Sequence, residues 1–247
     1  MITRLKNIPI LLIVLIFCGT VDGFSQQTSG TIVDERDGQN YEWVRIGNQI
    51  WMAENMGYLP DINTVNEGSE KIDGKYYYVY GYNGTNVDEA KSTENYITYG
   101  ALYNWYAAMN GASSSSSNPS EIQGICPEGW HIPSNAEWEE LKNYMINKGY
   151  NDSVGYAIKS ANGWSSNGNG IDVFGFTGLP GGYREFIERY SGQGVMTSWW
   201  STTEQDANYA WLWYLASHFE RFNKGWGDTK DYGHSVRCIK NPFPGLI

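Results

Sequence analysis

The alternation of apolar and polar residues predicts short strands near both ends of the chain. Broken alternation between Thr31 and Trp51, around a Gly47-Asn48 turn, is typical of a hairpin or of two short strands. Tyr76–Tyr82 predicts a tyrosine-rich strand, and Tyr209–Ser217 and Ser235–Lys240 predict two more. Strands dominate the pattern, and most of them are short.

Helical spacing occurs in two segments. In Gly100–Met109 the apolar residues recur at intervals of three and four, which predicts a helix. Ser134 followed three residues later by Glu137 is the signature of a capping box. The second helix is therefore predicted at Asn135–Lys148, with Gly149 ending it.

Other parts of the chain lack a regular pattern. The serine run 113–117 predicts a flexible loop, and the residues from Asn151 onward are rich in glycine, asparagine and serine. No tandem repeat and no clear shift in composition divides the chain. We expect a single domain over 26–247, with its core at about 31–241.

The N-terminal residues predict export. Two basic residues precede the apolar run Ile8–Phe17, and small residues follow it, which is the order of a secretory signal. The run is too short for a permanent transmembrane helix, and no other segment is apolar over that length. We predict a signal peptide over 1–25 and a mature chain that begins at Gln26, with cleavage after Gly23 as the close alternative.

The three cysteines divide between the signal and the domain. Cys18 suggests a lipoprotein, but the bulky Phe17 precedes it where lipidation requires a small residue, so free secretion is favoured. Without Cys18, only Cys126 and Cys238 remain. In an exported protein such a pair predicts one disulfide, for which chain entropy gives roughly 4–5 kcal/mol as an upper estimate.

Composition changes this picture in two ways. Eleven Trp, 19 Tyr and 29 Gly indicate either a loop-rich aromatic core or surface rings that stack on a ligand. A net charge of −10 opposes binding to nucleic acid and to anionic membranes.

Six segments, taken in order, resemble the Fibrobacter succinogenes major paralogous domain, a family of exported proteins of Bacteroidetes-like bacteria. They are WMAENM (51–56), YGALYNWYA (99–107), CPEGWHIPSNAEWEEL (126–141), GFTGLPGGYR (175–184), WWSTT (199–203) and HSVRCIK (234–240). The resemblance implies an exported domain, and it implies no particular biochemical role.

A more distant similarity carries an implication for the fold. The same order of motifs is similar to that of the sulfatase-modifying-factor family. This similarity implies an α+β, C-type-lectin-like fold with two helices around short, twisted antiparallel strands. A bridge in that fold ties an early segment to the last strand, and Cys126 and Cys238 would play an analogous part.

Several kinds of catalysis lack their residues. The sulfatase-modifying enzymes use a late pair of reactive cysteines, and 181–235 contains no cysteine. His131, His218 and His234 are scattered without the spacing of a metal site, and His131 is best interpreted as structural. The sequence has no GxSxG elbow, P-loop or dinucleotide fingerprint.

Carboxylates are the remaining catalytic candidates. Glu137 is explained by its cap, and Glu139 and Glu140 by a solvated helix face. A glycoside hydrolase needs two carboxylates across a cleft; Asp172, Glu185 and Asp228 are candidates that belong to no motif.

Two oxygen-rich loops are weak candidates for calcium. One contains Asn167, Asn169 and Asp172, and the other contains Asp228 and Asp231. Such side chains coordinate calcium, but they also simply form turns. We therefore predict no firm metal and no cofactor.

A non-catalytic binding or surface-interaction domain, with a glycan or a protein as ligand, explains these observations best. A carboxylate-based hydrolase and a structural component of the cell envelope are the alternatives, and the oligomeric state stays open. The candidate ligand-binding residues lie in the glycine-rich second half: Trp164, Trp199, Trp200 and Trp226. At least one of Trp199 and Trp200 is expected in the core.

The remaining motif residues are expected to be architectural. Trp130 and Trp138 belong to the longest motif and are expected inside. Gly181 and Gly182 suit a backbone in close approach or at positive φ. Arg184 follows them, and its five donors are suited to loop carbonyls or a carboxylate.

Overall fold

The computed structural model describes residues 28–68, 74–185 and 189–242. The predicted signal peptide, including Cys18, lies outside these residues, and the domain limits 26–247 stay a prediction. The described chain is an α+β structure. Its strands are β1 Ser29–Val33, β2 Asn40–Ile46, β3 Gln49–Met52, β4 Tyr77–Tyr78, β5 Leu102–Tyr103, β6 Trp130–His131, β7 Gly181–Glu185, β8 Arg189–Gln193, β9 Met196–Glu204, β10 Tyr209–Ala216, β11 Asn223–Lys224, β12 Asp228–Thr229 and β13 Ile239–Lys240. Its helices are α1 Val87–Lys91, α2 Glu94–Tyr99, α3 Trp105–Met109, α4 Asn135–Asn147 and α5 Val154–Ile158.

Two sheets and a short strand pair organise the chain. The first sheet has the order β1-β2-β3-β13-β6, and the second has the order β11-β10-β9-β7-β8, with β12 also on β10. β4 pairs with β5. The predicted N-terminal hairpin is confirmed, and Val44 pairs with Trp51 across it. The last strand joins this hairpin through Ile239 and Trp51, so the two ends of the described chain share one sheet.

The longest helix is confirmed in detail. α4 begins after Ser134, whose hydroxyl accepts from the Glu137 amide at 3.3 Å. The Glu137 carboxylate accepts from the Ser134 amide at 2.9 Å, which completes the capping box.

The two-helix expectation is wrong for the described residues, which contain four further helices of five or six residues. The predicted helix over Gly100–Met109 is only partly right, because Leu102–Tyr103 forms β5. The Asn104 side chain then caps the Ala107 amide at 2.9 Å, so the helix starts at Trp105.

The serine run is not the free loop that its composition predicts. The carbonyl of Ser115 accepts from the hydroxyls of Thr202 and Thr203, each at 2.9 Å. The Ser115 amide donates to the Thr202 carbonyl at 3.0 Å. A low-complexity segment therefore lies fixed against β9.

Tryptophans fill the space between α4 and the sheets. Trp138, fully buried, lies 4.5 Å from the Trp51 ring and 5.9 Å from the Trp199 ring, measured between centroids. Trp130 is 3% exposed. Both are core residues, as expected of their motif.

The predicted disulfide between Cys126 and Cys238 is present. The two residues are 112 positions apart in sequence, and their Cα atoms are 6.0 Å apart. Cys126 precedes β6 and Cys238 precedes β13, which are neighbours in the first sheet. The bridge therefore fixes the middle of the chain to its end, beside a strand pair of only two residues on each side.

Asn55 joins segments that are far apart in sequence. Its Oδ1 accepts from Trp199 Nε1 at 2.8 Å and from Arg237 Nη2 and Nε at 2.8 and 3.1 Å. Its Nδ2 donates to the Tyr99 carbonyl at 3.0 Å and to Ser235 Oγ at 3.3 Å. One amide group thus holds four parts of the chain together.

Arg237 is the cation of this centre and is 1% exposed. Besides Asn55, its guanidinium donates to the carbonyls of Met52, Phe176 and Thr177. Burial lowers its pKa to about 9, because desolvation outweighs the attraction of two carboxylates. The group is still charged at neutral pH, and backbone and amide dipoles stabilise it.

The segment Gly175–Arg184 is built into the same core. Arg184, 1% exposed, donates to the carbonyls of Val65 and Glu67 at 2.7 and 2.8 Å. Its guanidinium lies 4.8 Å from the centre of the Tyr78 ring. Arg184 therefore binds loop carbonyls, one of the two uses expected of its donors.

The centre at Asn55 generates the first prediction. Asn55→Ala removes the acceptor shared by the Arg237 guanidinium and the Trp199 indole, which stay buried. The free energy of unfolding should fall by about 3 kcal/mol, since a buried charged donor loses its partner. Urea denaturation measures this loss. Asn208→Ala, at an exposed position, should stay within about 0.5 kcal/mol of the parent, and equal stability of the two variants would refute the role of Asn55.

A second prediction compares two glycines with similar backbone conformations, Gly182 (φ +71°) and Gly38 (φ +75°). A Cβ at Gly182 would lie 2.5 Å from the Ser191 carbonyl oxygen, whereas a Cβ at Gly38 would meet nothing within 4 Å. Gly38→Ala should cost about 1 kcal/mol for its positive φ alone. Gly182→Ala should cost at least about 2 kcal/mol more, because β8 must move. Thermal and urea denaturation of both variants measure the two losses of stability. Similar losses would contradict the close packing of Gly182 against β8.

Candidate functional site

Trp226 stands out on the surface, because its side chain is 95% exposed. It lies between β11 and β12, with a glycine on each side. Gly225 donates its amide to the Leu212 carbonyl at 2.9 Å, which holds the tip on β10. Gly227 has φ +84°, and a Cβ there would collide with the Gln205 side chain. The glycines thus let the backbone lie flat on the sheet and leave the indole in solvent.

Two further rings lie on the strand beneath this tip. Tyr209, at the start of β10, is 40% exposed, and Trp211 is partly exposed. The Lys224 ammonium lies 4.7 Å from the centre of the Trp211 ring. Pairing of Trp213 with Lys224 and of Ala210 with Asp228 places Trp226 opposite this part of β10. We call Tyr209, Trp211 and Trp226 the aromatic edge.

The other tryptophans expected at a binding surface are in the core, and the sequence interpretation is corrected for them. Trp199 and Trp200 are both fully buried. Successive side chains of a strand point to opposite faces, and β9 has a hydrophobic cluster on each face, one containing Trp199 and the other Trp200. Trp164 is 5% exposed and donates its indole N–H to the Gly178 carbonyl at 3.0 Å.

The candidate carboxylates are each engaged locally. Asp172 accepts from the Thr177 amide and hydroxyl, each at 2.8 Å. Glu185 accepts from Arg189 Nε at 2.8 Å, and its hydrogen bonds to Arg189 and Ser191 outweigh burial and lower its pKa. A lowered pKa suits a permanent ion pair and not a general acid.

Two of the calcium candidates, Asn169 and Asp172, accept hydrogen bonds within their own loop. Asn169 accepts from the Trp164 amide at 2.9 Å, and Asn167 has φ +60°, so this loop uses its side chains for its own turns. In the other loop, an Asp228 carboxylate oxygen lies 3.1 Å from His234 Nε2. Burial raises the pKa of Asp231, which disfavours the charged form that would bind calcium. Within the described ranges, no group of three or more His, Cys, Asp or Glu side chains is arranged to hold a metal ion.

The fold creates one polar cluster that spacing does not reveal. The His234 ring, 1% exposed, has Nδ1 at 2.6 Å from Ser198 Oγ and Nε2 at 3.1 Å from an Asp228 carboxylate oxygen. These are the side-chain types of a nucleophilic triad. However, Ser198 is 0% exposed, so a substrate has no access to its hydroxyl, and the Nε2 contact lacks hydrogen-bond alignment.

His131 has a structural environment. Its ring nitrogens lie 2.6 Å from Glu137 Oε1 and 2.6 Å from Asn241 Oδ1. Both positions of the ring are therefore occupied by protein groups, in agreement with its interpretation as structural.

Sequence reasoning identified Trp226 and missed Trp211. The local signal for Trp226 is its position between two glycines, neither of which has a side chain to cover an indole. Trp211 is partly exposed, whereas Trp213 and Leu215, which a period of two would place on the same face, are buried. A bulge between Ala210 and Leu212 shifts the alternation. The exposure of Trp211 could not be predicted from a period of two.

None of the described helices has the length and hydropathy needed to cross a membrane. No curated protein and no solved structure matches the chain significantly. The family model of the Fibrobacter succinogenes major domain, a description of the family's sequences, matches residues 44–240. The match extends from the second strand to the last. The chain therefore belongs to the Fibrobacter succinogenes major domain family.

Proposed function

We propose that this protein is an exported, non-catalytic binding domain that contacts a glycan through the aromatic edge. The observation that carries the proposal is the 95% exposure of Trp226. Burial of a large apolar side chain contributes about 1.5–3 kcal/mol to stability. Trp226 does not make this contribution in the folded protein, because its ring stays in solvent. The contribution becomes available when a ligand covers the ring.

The surroundings of the ring favour a glycan over a protein. Trp211 and Trp226 are accompanied by Lys224 and Asp228, so rings alternate with charged groups. A protein partner usually requires a contiguous desolvated centre. A sugar presents C–H faces for stacking and hydroxyls for hydrogen bonds, which suits this alternation.

Local bonding of the carboxylates supports a non-catalytic role. Asp172 and Glu185 are used within their own loops, so neither is poised as a free acid. The hydrolase interpretation would need two such groups on opposite sides of a bound sugar.

Export is supported by the N-terminal pattern and by the disulfide between Cys126 and Cys238, since such bridges persist in oxidising compartments. The C-type-lectin-like fold is proposed on related grounds. The first hairpin and the last strand share a sheet, and the bridge precedes that last strand.

The binding prediction uses Trp226→Ala. On a glycan array, the mature protein should bind a subset of glycans. For those glycans the variant should show about tenfold weaker affinity, because a stacking contact of about 1–2 kcal/mol is lost. Its melting temperature should not change, since the side chain is exposed. Tyr156→Ala, at a partly exposed ring on α5, should retain binding.

Arrays with calcium and with a chelator test the calcium candidates as well. Absence of binding to any glycan would refute the proposed function. Unchanged binding by Trp226→Ala would show that the aromatic edge is not the glycan-binding site.

The processing prediction concerns the exported protein itself. N-terminal sequencing and intact mass should show a chain that begins at Gln26, or just after Gly23, without lipid. A diacylated Cys18 at the N-terminus would instead place the protein on a membrane.

A further inference from the structure

A second feature at the same end of the sheet is a cleft of about 440 Å³. It lies between α3, the serine run and the turn that joins β9 to β10. Its volume is within the range of small-ligand sites. The same turn carries Gln205, which lies close to Gly227 of the Trp226 tip. Glu204, which lines the cleft and ends β9, is the residue directly before Gln205.

The floor of the cleft is a fixed aromatic corner. The rings of Trp105 and Tyr106 are 6.0 Å apart and nearly perpendicular, at 80°. Trp105 Nε1 donates to the Ser201 carbonyl at 3.0 Å, and the Lys230 ammonium lies 4.4 Å from the ring centre. These contacts hold the corner in place, and because Trp105 is 5% exposed, Tyr106 is its accessible ring.

The rim of the cleft carries oriented hydrogen-bonding groups. Glu204 Oε2 accepts from Lys230 Nζ at 2.8 Å, and Glu204 Oε1 accepts from the Ser114 hydroxyl at 3.0 Å. The hydrogen bond from Lys230 is the main reason that the pKa of Glu204 is lowered. Since the neighbouring Ser115 is fixed to β9, the hydroxyls of this rim are preorganised, which lowers the entropic cost of binding.

The charges of the cleft do not cancel among its described residues. The Lys230 ammonium is 6% exposed and is paired with Glu204. Lys75, which also lines the cleft, is exposed and donates to the neutral Asn110 side chain at 2.7 Å. A positive charge therefore remains in a cleft of a protein whose net charge is −10, and it favours an anionic ligand locally.

We propose that this cleft binds a carboxylate-bearing saccharide. The inference rests on the proposed glycan-binding function and adds a second site to it beside the aromatic edge. The sugar ring packs on Tyr106, which is partly exposed, because Trp105 is 5% exposed and lies beneath Lys230. Its hydroxyls donate to Glu204, and its carboxylate pairs with Lys75. Two motifs of the family build the cleft, since YGALYNWYA contains both rings and WWSTT ends directly before Glu204.

Trigalacturonate is the probe, and its fully methyl-esterified form is the matched neutral ligand, because esterification keeps the rings and removes the charge. Calorimetry of the mature protein should give at least about tenfold tighter binding of the acid than of the ester. Binding of the acid should weaken with added salt, since an exposed ion pair is screened.

Variants at Lys75 test the cleft itself. Lys75→Gln should weaken binding of trigalacturonate about tenfold and leave binding of the ester unchanged, and Lys75→Arg should restore it. Lys148→Gln, which removes an exposed charge at the end of α4, should behave like the parent.

Three results would overturn the inference: equal affinity for acid and ester, no effect of Lys75→Gln, or no binding of trigalacturonate by a protein that binds other glycans on the array. In the last case the proposed glycan-binding function stands without this site. Failure to bind any glycan refutes both.

Discussion

The fold depends on the burial of one cation. The Arg237 guanidinium is 1% exposed, and without hydrogen-bond acceptors a buried charge of this kind is prohibitively costly. Asn55 and three backbone carbonyls supply those acceptors. Because the acceptors come from distant parts of the chain, the first sheet, the loop after α5 and the last strand must come together for the charge to be stabilised.

This constraint explains what the family motifs do. WMAENM contributes Asn55, GFTGLPGGYR contributes the carbonyls of Phe176 and Thr177, and WWSTT contributes the Trp199 indole. HSVRCIK contributes Arg237 itself, and its cysteine forms the disulfide. These motif residues are hydrogen-bonded to one another in the interior, so their role in this chain is architectural.

Features suited to binding lie outside that centre. The Trp226 tip and the cleft beside Trp105 are placed by β9, β10 and α3, which are held by the buried rings. A rigid support of this kind lets short surface segments vary in sequence without loss of the fold. The tip and the rim of the cleft carry isolated rings and charges, whereas the interior is filled by packed tryptophans.

Elements with local signals could be predicted from the residues. The capping box at Ser134 and Glu137 defined the start of α4, the alternation before and after Gly47 defined the first hairpin, and two cysteines in a chain predicted for export defined the bridge. The burial of the other candidate tryptophans depends on tertiary packing, whereas the exposure of Trp226 has a local signal. Trp199 and Trp200 are buried because both faces of β9 are covered, and Trp226 is exposed because its glycine neighbours cannot cover it. Spacing also could not predict the cleft, because Lys75, Trp105, Glu204 and Lys230 are brought together only by the packing of α3 and the serine run against β9 and β12.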